Sequence, residues 1–311
     1  MAKEGMNPMI RTDNKTGRTR LERWAPYVFT APTLVFILGL MVFPFGYSLY
    51  LSTLHYKLTL PPASIRFVGL DNFRTMLDNQ AFLNAMKWTF VFAIAAVALQ
   101  VVLGMIMALV LNSRAFGNKT ALFKSLFIMP LMLAPVVSAK IWSLLFQVLY
   151  GPINYVLSSM GLEKVSWSGE TLPAKISIIL VDVWTATPFC MLILLAALKT
   201  VPKEISEAAA IDGAGPAGSF FRITLPTIRN FIALVVSIRI MDALRVFDSV
   251  VALTNGAPGE TTETLATITY KTAFRYADIG AGSAGSILYF LCIIIFSLLA
   301  FAFLKRKPEA A

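Results

Sequence analysis

The feature that most constrains this chain is the gathering of its apolar residues into six blocks, each near the ~20 residues an α-helix needs to cross a hydrocarbon layer. The blocks run over 28–51, 88–111, 123–149, 176–198, 231–253 and 286–304. A soluble core would spread the same residues at helical or strand spacing and would carry more charge than the 14% found here at a mean hydropathy of +0.71. The expected fold is an all-α integral membrane protein with six transmembrane helices.

The net charge of +10 would suit a nucleic-acid binder if the cations formed one patch, but they distribute by segment instead. Lys3, Arg11, Lys15, Arg18, Arg20 and Arg23 precede the first block, and Arg114, Lys119 and Lys124 join the second to the third. Lys199, Lys203, Arg222 and Arg229 join the fourth to the fifth, and Lys305, Arg306 and Lys307 follow the last. The alternate connections hold half as many: Lys57, Arg66, Arg74 and Lys87, then Lys164 and Lys175, then Lys271 and Arg275. Cations collect on the cytoplasmic side of a membrane, so both termini are expected in the cytoplasm. The lipid bilayer is the expected surrounding, and no nucleic-acid partner is expected.

Residues 1–23 are polar and basic and read as a mobile cytoplasmic tail, 24–307 as the transmembrane domain, and 308–311 as a short cytoplasmic end. The opening is too long and too polar for a secretory signal peptide, so the first block reads as a retained anchor. Cys190 and Cys292 lie inside apolar blocks, where a thiol packs as a small apolar group. His55 stands without a carboxylate or a second His, so neither a disulfide nor a metal site is expected. Asp71 reads as the cap of a short interfacial helix, and Thr261 to Phe274 has helix-compatible spacing. Gly280, Ala281, Gly282, Ala284 and Gly285 read as a surface that lets the last helix approach a neighbour.

The most informative stretch is Thr200 to Ile228, the connection between the fourth and fifth blocks. Pro202 suits the first turn of a helix, Ile205, Ala208 and Ala209 form an apolar stripe at three- and four-residue spacing, and Gly213 supplies the residue that ends it. Pro216 restarts a helix carrying Phe220 and Phe221, and Pro226 ends the polar stretch. Ala208 to Ala210 are small enough for another surface to come close, while Glu207 and Asp212 offer charge for register. The apolar side of such an element needs a cover, and physical reasoning alone leaves lipid and a protein groove equally open.

These residues resemble something known. Glu207-Ala208-Ala209-Ala210-Ile211-Asp212-Gly213-Ala214, followed by Ile223-Thr224-Leu225-Pro226, is similar to the EAA signature of permeases from binding-protein-dependent ABC importers. Phe67 to Phe73, Val183-Trp184, Pro188-Phe189, Phe247-Asp248 and Thr254 to Glu263 resemble the maltose and glycerol-phosphate permease group, without the large periplasmic insertion of the larger maltose permease. The resemblance implies that Glu207, Ala208, Ala209, Asp212, Gly213, Ala214, Ile223, Leu225 and Pro226 form a coupling element seated in a cleft of an ATPase. It further implies a second, nonidentical EAA-type permease, an ATPase dimer that binds ATP and Mg, and a periplasmic or extracellular solute-binding protein, all at a bacterial cytoplasmic (inner) membrane. No G-x-x-x-x-G-K-S/T loop occurs in the chain, so no cofactor is expected on it and it is not expected to be an enzyme.

Arg239, Asp242, Arg245 and Asp248 recur at three-residue intervals in the fifth block. Each charge near a bilayer centre costs about 2.5–3.5 kcal/mol on insertion scales, so their presence needs a reason. Two readings stand open. In one, Asp242 with Arg245 and Arg245 with Asp248 form an ion-pair ladder that only holds the helix in place. In the other, Asp242, Arg245 and Asp248 border a water-filled pathway and exchange hydrogen bonds with sugar hydroxyls. Because Asp182, Asp242 and Asp248 are intramembrane carboxylates, a secondary transporter driven by a proton or sodium gradient is the alternative to ATP-driven sugar import.

Overall fold

The structure, a computed structural model, describes residues 20–113, 120–202, 204, 205, 209, 211 and 213–305. The chain divides into two compact units, one ending at Ser48 and the other beginning at Leu49. The first unit is the body of helix α1 (Arg20–Ser52), which stays helical through Pro26, Pro32 and Pro44. Because α1 begins at Arg20, residues 20–23 of the expected tail are helical; residues 1–19 and 308–311 lie outside the described residues.

In the second unit a two-stranded hairpin, β1 (Leu54–His55) and β2 (Arg66–Phe67), leads into α2 (Asp71–Asp78) and α3 (Gln80–Asn112). Asp71 is the first residue of α2 and makes no side-chain cap bond. The cap position is Leu70, so Asp71 acts only through its charge on the helix dipole. The capping side chain is Asn79, whose Oδ1 accepts from the backbone N–H of Ala81 at 2.8 Å and of Phe82 at 3.4 Å, starting α3. After α4 (Thr120–Ile128), α5 (Pro135–Leu145), α6 (Pro152–Ser159) and α7 (Thr171–Leu198) come α8 (Pro216–Thr227) and α9 (Arg229–Ala243). The chain ends with α10 (Asp248–Leu253), α11 (Leu265–Tyr270) and α12 (Ile279–Lys305).

Four stretches are continuous, long and apolar enough to cross a membrane: Trp24–Ser52, Gln80–Asn112, Thr171–Leu198 and Ile279–Ala302. The third and fifth apolar blocks are not straight spans. In the third, Thr120–Met132 and Pro135–Leu145 meet at 98°; Pro216–Thr227 meets Arg229–Ala243 at 68° just before the fifth, which itself stops at Ala243 and resumes at Asp248. The first of these bends has a local cause. Pro135 lacks an N–H and forces Ala134 into an extended conformation (φ −62°, ψ 141°), which stops one helix and starts the next.

In lipid, helices gain little from hiding apolar surface from each other, so close packing has to hold them. Along one half of α3, Trp88, Phe92, Ala96 and Val97 pack with Ile178 and Val183 of α7 and with Ile240 and Ala243 of α9. Along the other half, Met105, Ala108 and Leu111 meet Cys190, Met191, Leu194 and Leu198 of α7, joined by Ile228 and Val235. Gly104 sits where the two helices come closest: a Cβ there would lie 2.7 Å from Cys190 Cβ and 2.9 Å from Met191 N. The small residues of α12 serve the same end. A Cβ on Gly280 would reach Leu54 O and one on Gly282 would meet Ala273, while Ala281 and Ala284 are buried against Met76, Phe82 and Leu265. The segment between α10 and α12 is a folded cap, with buried Lys271 bonded to the Glu263 carboxylate and donating to Asn255 O at 2.7 Å.

Gly104→Ala puts a methyl group against backbone on α7 and is expected to cost about 1–3 kcal/mol. A lower melting temperature for the purified protein in detergent, without a change at the equally small but uncrowded Gly218, is the expected result.

Candidate functional site

The two interrupted blocks face each other across a cavity of about 330 Å³. Leu131, Leu133 and Pro135 line it from the first break; Arg245, Val246, Phe247, Asp248 and Ser249 line it from the second, with Asp182 and Thr185 from α7 between them. Helix α9 ends at Ala243 and α10 begins only at Asp248, so the expected single helix carrying four charges at regular intervals is broken inside that interval. No Pro or Gly lies between Arg239 and Thr254, so the cause is tertiary. Backbone carbonyls at membrane depth must be satisfied, and other parts of the chain satisfy these. Arg245 Nε donates to Met241 O at 3.1 Å, Tyr289 Oη of α12 to Leu244 O at 3.1 Å, and Thr264 Oγ1 to Val246 O at 3.0 Å.

The charged residues divide into a buried half and an open half. Arg239 is buried, with Nε donating to Gln100 Oε1 at 2.9 Å, NH1 to Asp242 at 3.2 Å and NH2 3.6 Å from Asp182. Gln100, fully buried on α3, in turn donates from Nε2 to Asp182 Oδ2 at 2.6 Å. This closed set ties α3, α7 and α9 at one depth. Asp242 bridges to the open half, accepting from Arg245 NH2 at 2.9 Å while its own side chain is 42% exposed. Arg245 is 62% exposed, and Asp248, also exposed, forms no ion pair among the described residues; the expected Arg245–Asp248 pair is absent because the break turns them away from a common helical face. Arg239, Asp182 and Gln100 thus hold helices together at the buried side of the cavity, while Asp242, Arg245 and Asp248 lie at its exposed side.

Sequence reasoning passed over Gln100, although a lone amide flanked by ten apolar residues on its N-terminal side is a usable signal. It also passed over Lys140, which lies on α5 and donates from Nζ to Ala252 O at 3.1 Å at the end of α10. Both make their contacts far along the chain. Among the described residues no group of His, Cys, Asp and Glu is arranged to hold a metal ion.

At the end of the fold where α7 runs into α8, Glu207, Ala208 and Asp212 lie outside the described residues. Residues 204, 205, 209 and 211 are helical, and Gly213 has φ +80°. The Ala214 N–H bonds to Ala209 O at 2.9 Å across that glycine, which is the Schellman ending, with Gly213 in the left-handed conformation that side chains resist. No atom stands within 4 Å of where a Gly213 Cβ would be, so the demand there is conformational. Ile211 and Phe221 are exposed, while Ala209 is buried. Helix α8 carries a π-turn over Phe220–Thr224, and Pro226 continues the helix within it; the bend comes at Ile228, which is fully buried. Phe220 and Leu225 pack against the cluster of Leu111, Leu194 and Leu198, so α8 bears directly on the ends of α3 and α7; Ile223 is half-buried beside them.

A family model described as "Binding-protein-dependent transport system inner membrane component" matches residues 100–307. The chain is 36% identical over 269 residues to a probable ABC transporter permease protein, y4oQ, of Sinorhizobium fredii, covering 86% of each. It is 34% identical to the trehalose/maltose transport system permease protein MalF of Thermococcus litoralis, covering 88% of this chain and 90% of that one. It is 32% identical to the sn-glycerol-3-phosphate transport system permease protein UgpA of Yersinia pestis, covering 91% and 95%. Among solved structures, a bacterial ABC transporter involved in the import of the acidic polysaccharide alginate shares the fold, with a TM-score of 0.79 at 22% identity over 93% of this chain and 98% of that one.

Asp182→Ala takes from buried Arg239 one of its two carboxylate partners and from Gln100 Nε2 its acceptor, and Gln100→Leu takes a neutral partner from both Arg239 and Asp182; each is expected to destabilise the protein by about 1–3 kcal/mol. Thermal unfolding of the purified variants in detergent measures both. Equal, negligible effects would show that the set does not tie the three helices.

Proposed function

We propose that this chain, which belongs to the family of inner membrane components of binding-protein-dependent transport systems, is the permease subunit of an ATP-binding-cassette importer for a sugar or a related polyol or sugar phosphate. It is a multi-pass membrane subunit and no enzyme; hydrolysis belongs to a separate chain. The observation that carries the reading of the site is the cavity at two helix breaks, bordered by carboxylates and a guanidinium. Polar backbone and charged side chains at this depth are tolerated where they line a passage, and carboxylate and guanidinium groups match sugar hydroxyls as acceptors and donors.

In this reading the element from Glu207 to Pro226 lies on the cytoplasmic side, in a cleft of an ATPase dimer that binds ATP and Mg, and both termini share that side. A second, nonidentical EAA-type permease completes the pathway, and a solute-binding protein delivers solute from outside the inner membrane. The exposed Ile211 and Phe221 supply the apolar face such a cleft covers, and the seating of Phe220 and Leu225 on the ends of α3 and α7 passes its movement to the helices around the cavity. Two conformations, inward-facing and outward-facing, exchange as the ATPase closes on nucleotide. Each partner state shifts the balance only by the difference in its affinity for the two. A gradient-driven carrier has less support, since Asp182 is held by Arg239 and Gln100 and Asp242 by Arg239 and Arg245.

Gly213→Pro denies the backbone its φ of +80°, and Glu207→Lys reverses a charge toward the ATPase. In the reconstituted complex both variants are expected to lower import by about tenfold or more while hydrolysis continues. Normal import with normal solute-stimulated hydrolysis in both would remove this segment from the coupling role.

A further inference from the structure

The relatives of this chain divide between neutral and charged solutes, and the cavity carries information on which side this chain falls. Its ionisable lining consists of three carboxylates, Asp182, Asp242 and Asp248, and two guanidiniums, Arg239 and Arg245. Capture of a phosphate or a carboxylate needs a cation with free donors, because a bidentate guanidinium or a lone ammonium supplies nearly all of the recognition. Arg239 lacks that freedom, and Arg245 has only part of it. Arg239 is buried and spends Nε on Gln100 and its two terminal nitrogens on Asp242 and Asp182. Arg245 keeps NH1 open to the cavity, but its Nε is bonded to Met241 O and its charge is offset by Asp242, to which NH2 donates at 2.9 Å. Lys140 does not line the cavity, and its Nζ donates to Ala252 O. On the acidic side, Asp248 is exposed to the cavity with no ion-pair partner among the described residues. An anionic solute would meet, among the described residues that line the cavity, one unpaired carboxylate and no cation without a carboxylate partner, an excess of like charge that works against it.

A neutral polyhydroxylated solute meets the opposite situation. Hydroxyl groups donate to the unpaired carboxylate of Asp248 and to the remaining lone pairs of Asp242, and charge-assisted bonds of this kind are the stronger class. Phe247 lines the same cavity and is held edge-on by Tyr270, with ring centroids 5.2 Å apart, which fixes an apolar ring surface for the C–H face of a sugar. We infer that this permease passes uncharged saccharides or polyols and turns away phosphorylated and carboxylated ones, with Asp248 as the residue that sets the discrimination. The inference rests on the pathway reading of the cavity given above.

The test is solute binding to the purified transporter complex in detergent without its binding protein, so that only the membrane site is read. Radiolabelled maltose, trehalose and sn-glycerol 3-phosphate are the probes, at millimolar concentration. The neutral disaccharides are expected to bind and glycerol phosphate not to. Asp248→Asn, which keeps the shape, and Asp248→Ala are expected to weaken disaccharide binding by about tenfold. Asp248→Lys is expected to admit glycerol phosphate. Wild-type protein that binds glycerol phosphate as well as the disaccharides, or disaccharide binding unchanged in both Asp248→Asn and Asp248→Ala, overturns the charge discrimination while leaving a solute site in place. If none of the probes binds, the pathway reading falls and this inference with it.

Discussion

Everything around the cavity depends on backbone carbonyls that have no water to turn to. A helix that stops at Ala243 in the middle of an apolar block leaves its last carbonyls open, and each would cost several kcal/mol in hydrocarbon if left so. Here the backbone N–H groups of Leu244, Arg245 and Val246 take up those of Ile240, Asp242 and Ala243, and three side chains take up the rest of the break: Arg245 bonds Met241 O, Tyr289 from α12 bonds Leu244 O, and Thr264 from the cap of α11 bonds Val246 O. The break is therefore a built feature, and the price of building it is met by side chains from three parts of the chain. What the break achieves is to turn Asp248 out of the helical row and into an open space shared with the proline-driven bend at Ala134.

The buried set of Gln100, Asp182 and Arg239 is the fixed side of this space. A charge pair of this kind adds little net stability over an apolar replacement, yet losing one member is costly, which makes it suited to fixing three helices in one register. Asp242 belongs to both sides, bonded inward to Arg239 and outward to Arg245. The cavity-facing groups thus hang from a fixed frame, and the frame meets the seat of α8 through the same helices, α3 and α7. One pair of packed helices connects α8, in the segment proposed to meet the ATPase, to the cavity.

What could be read from residues alone follows the range of the interactions involved. Apolar blocks near membrane length and the helix ending at Gly213 are local patterns, and local patterns are legible. The bend at Pro135 was marked by its proline but hidden by the continuous apolarity of 123–149. The break after Ala243 carries no mark at all, because its causes are Thr264 and Tyr289, far downstream. Likewise the spacing of Arg239, Asp242, Arg245 and Asp248 points to a site and to the Asp242–Arg245 pair, but also to an Arg245–Asp248 pair that the break removes. Arg239 is bonded to residues 139 and 57 positions before it, Gln100 and Asp182, and no periodicity in the fifth block could show that.

The central claim is that the cavity at the two breaks is a solute passage opened alternately to each side by a partner ATPase. Accessibility of a single cysteine at Asp248, in a background where Cys190 and Cys292 are replaced, tests it most directly. The reconstituted complex, with a membrane-impermeant thiol reagent applied from outside, is the system to use. The account predicts slow labelling without nucleotide, faster labelling when the ATPase is trapped closed on ATP, and protection by bound solute. Labelling at one rate in both nucleotide states would contradict it.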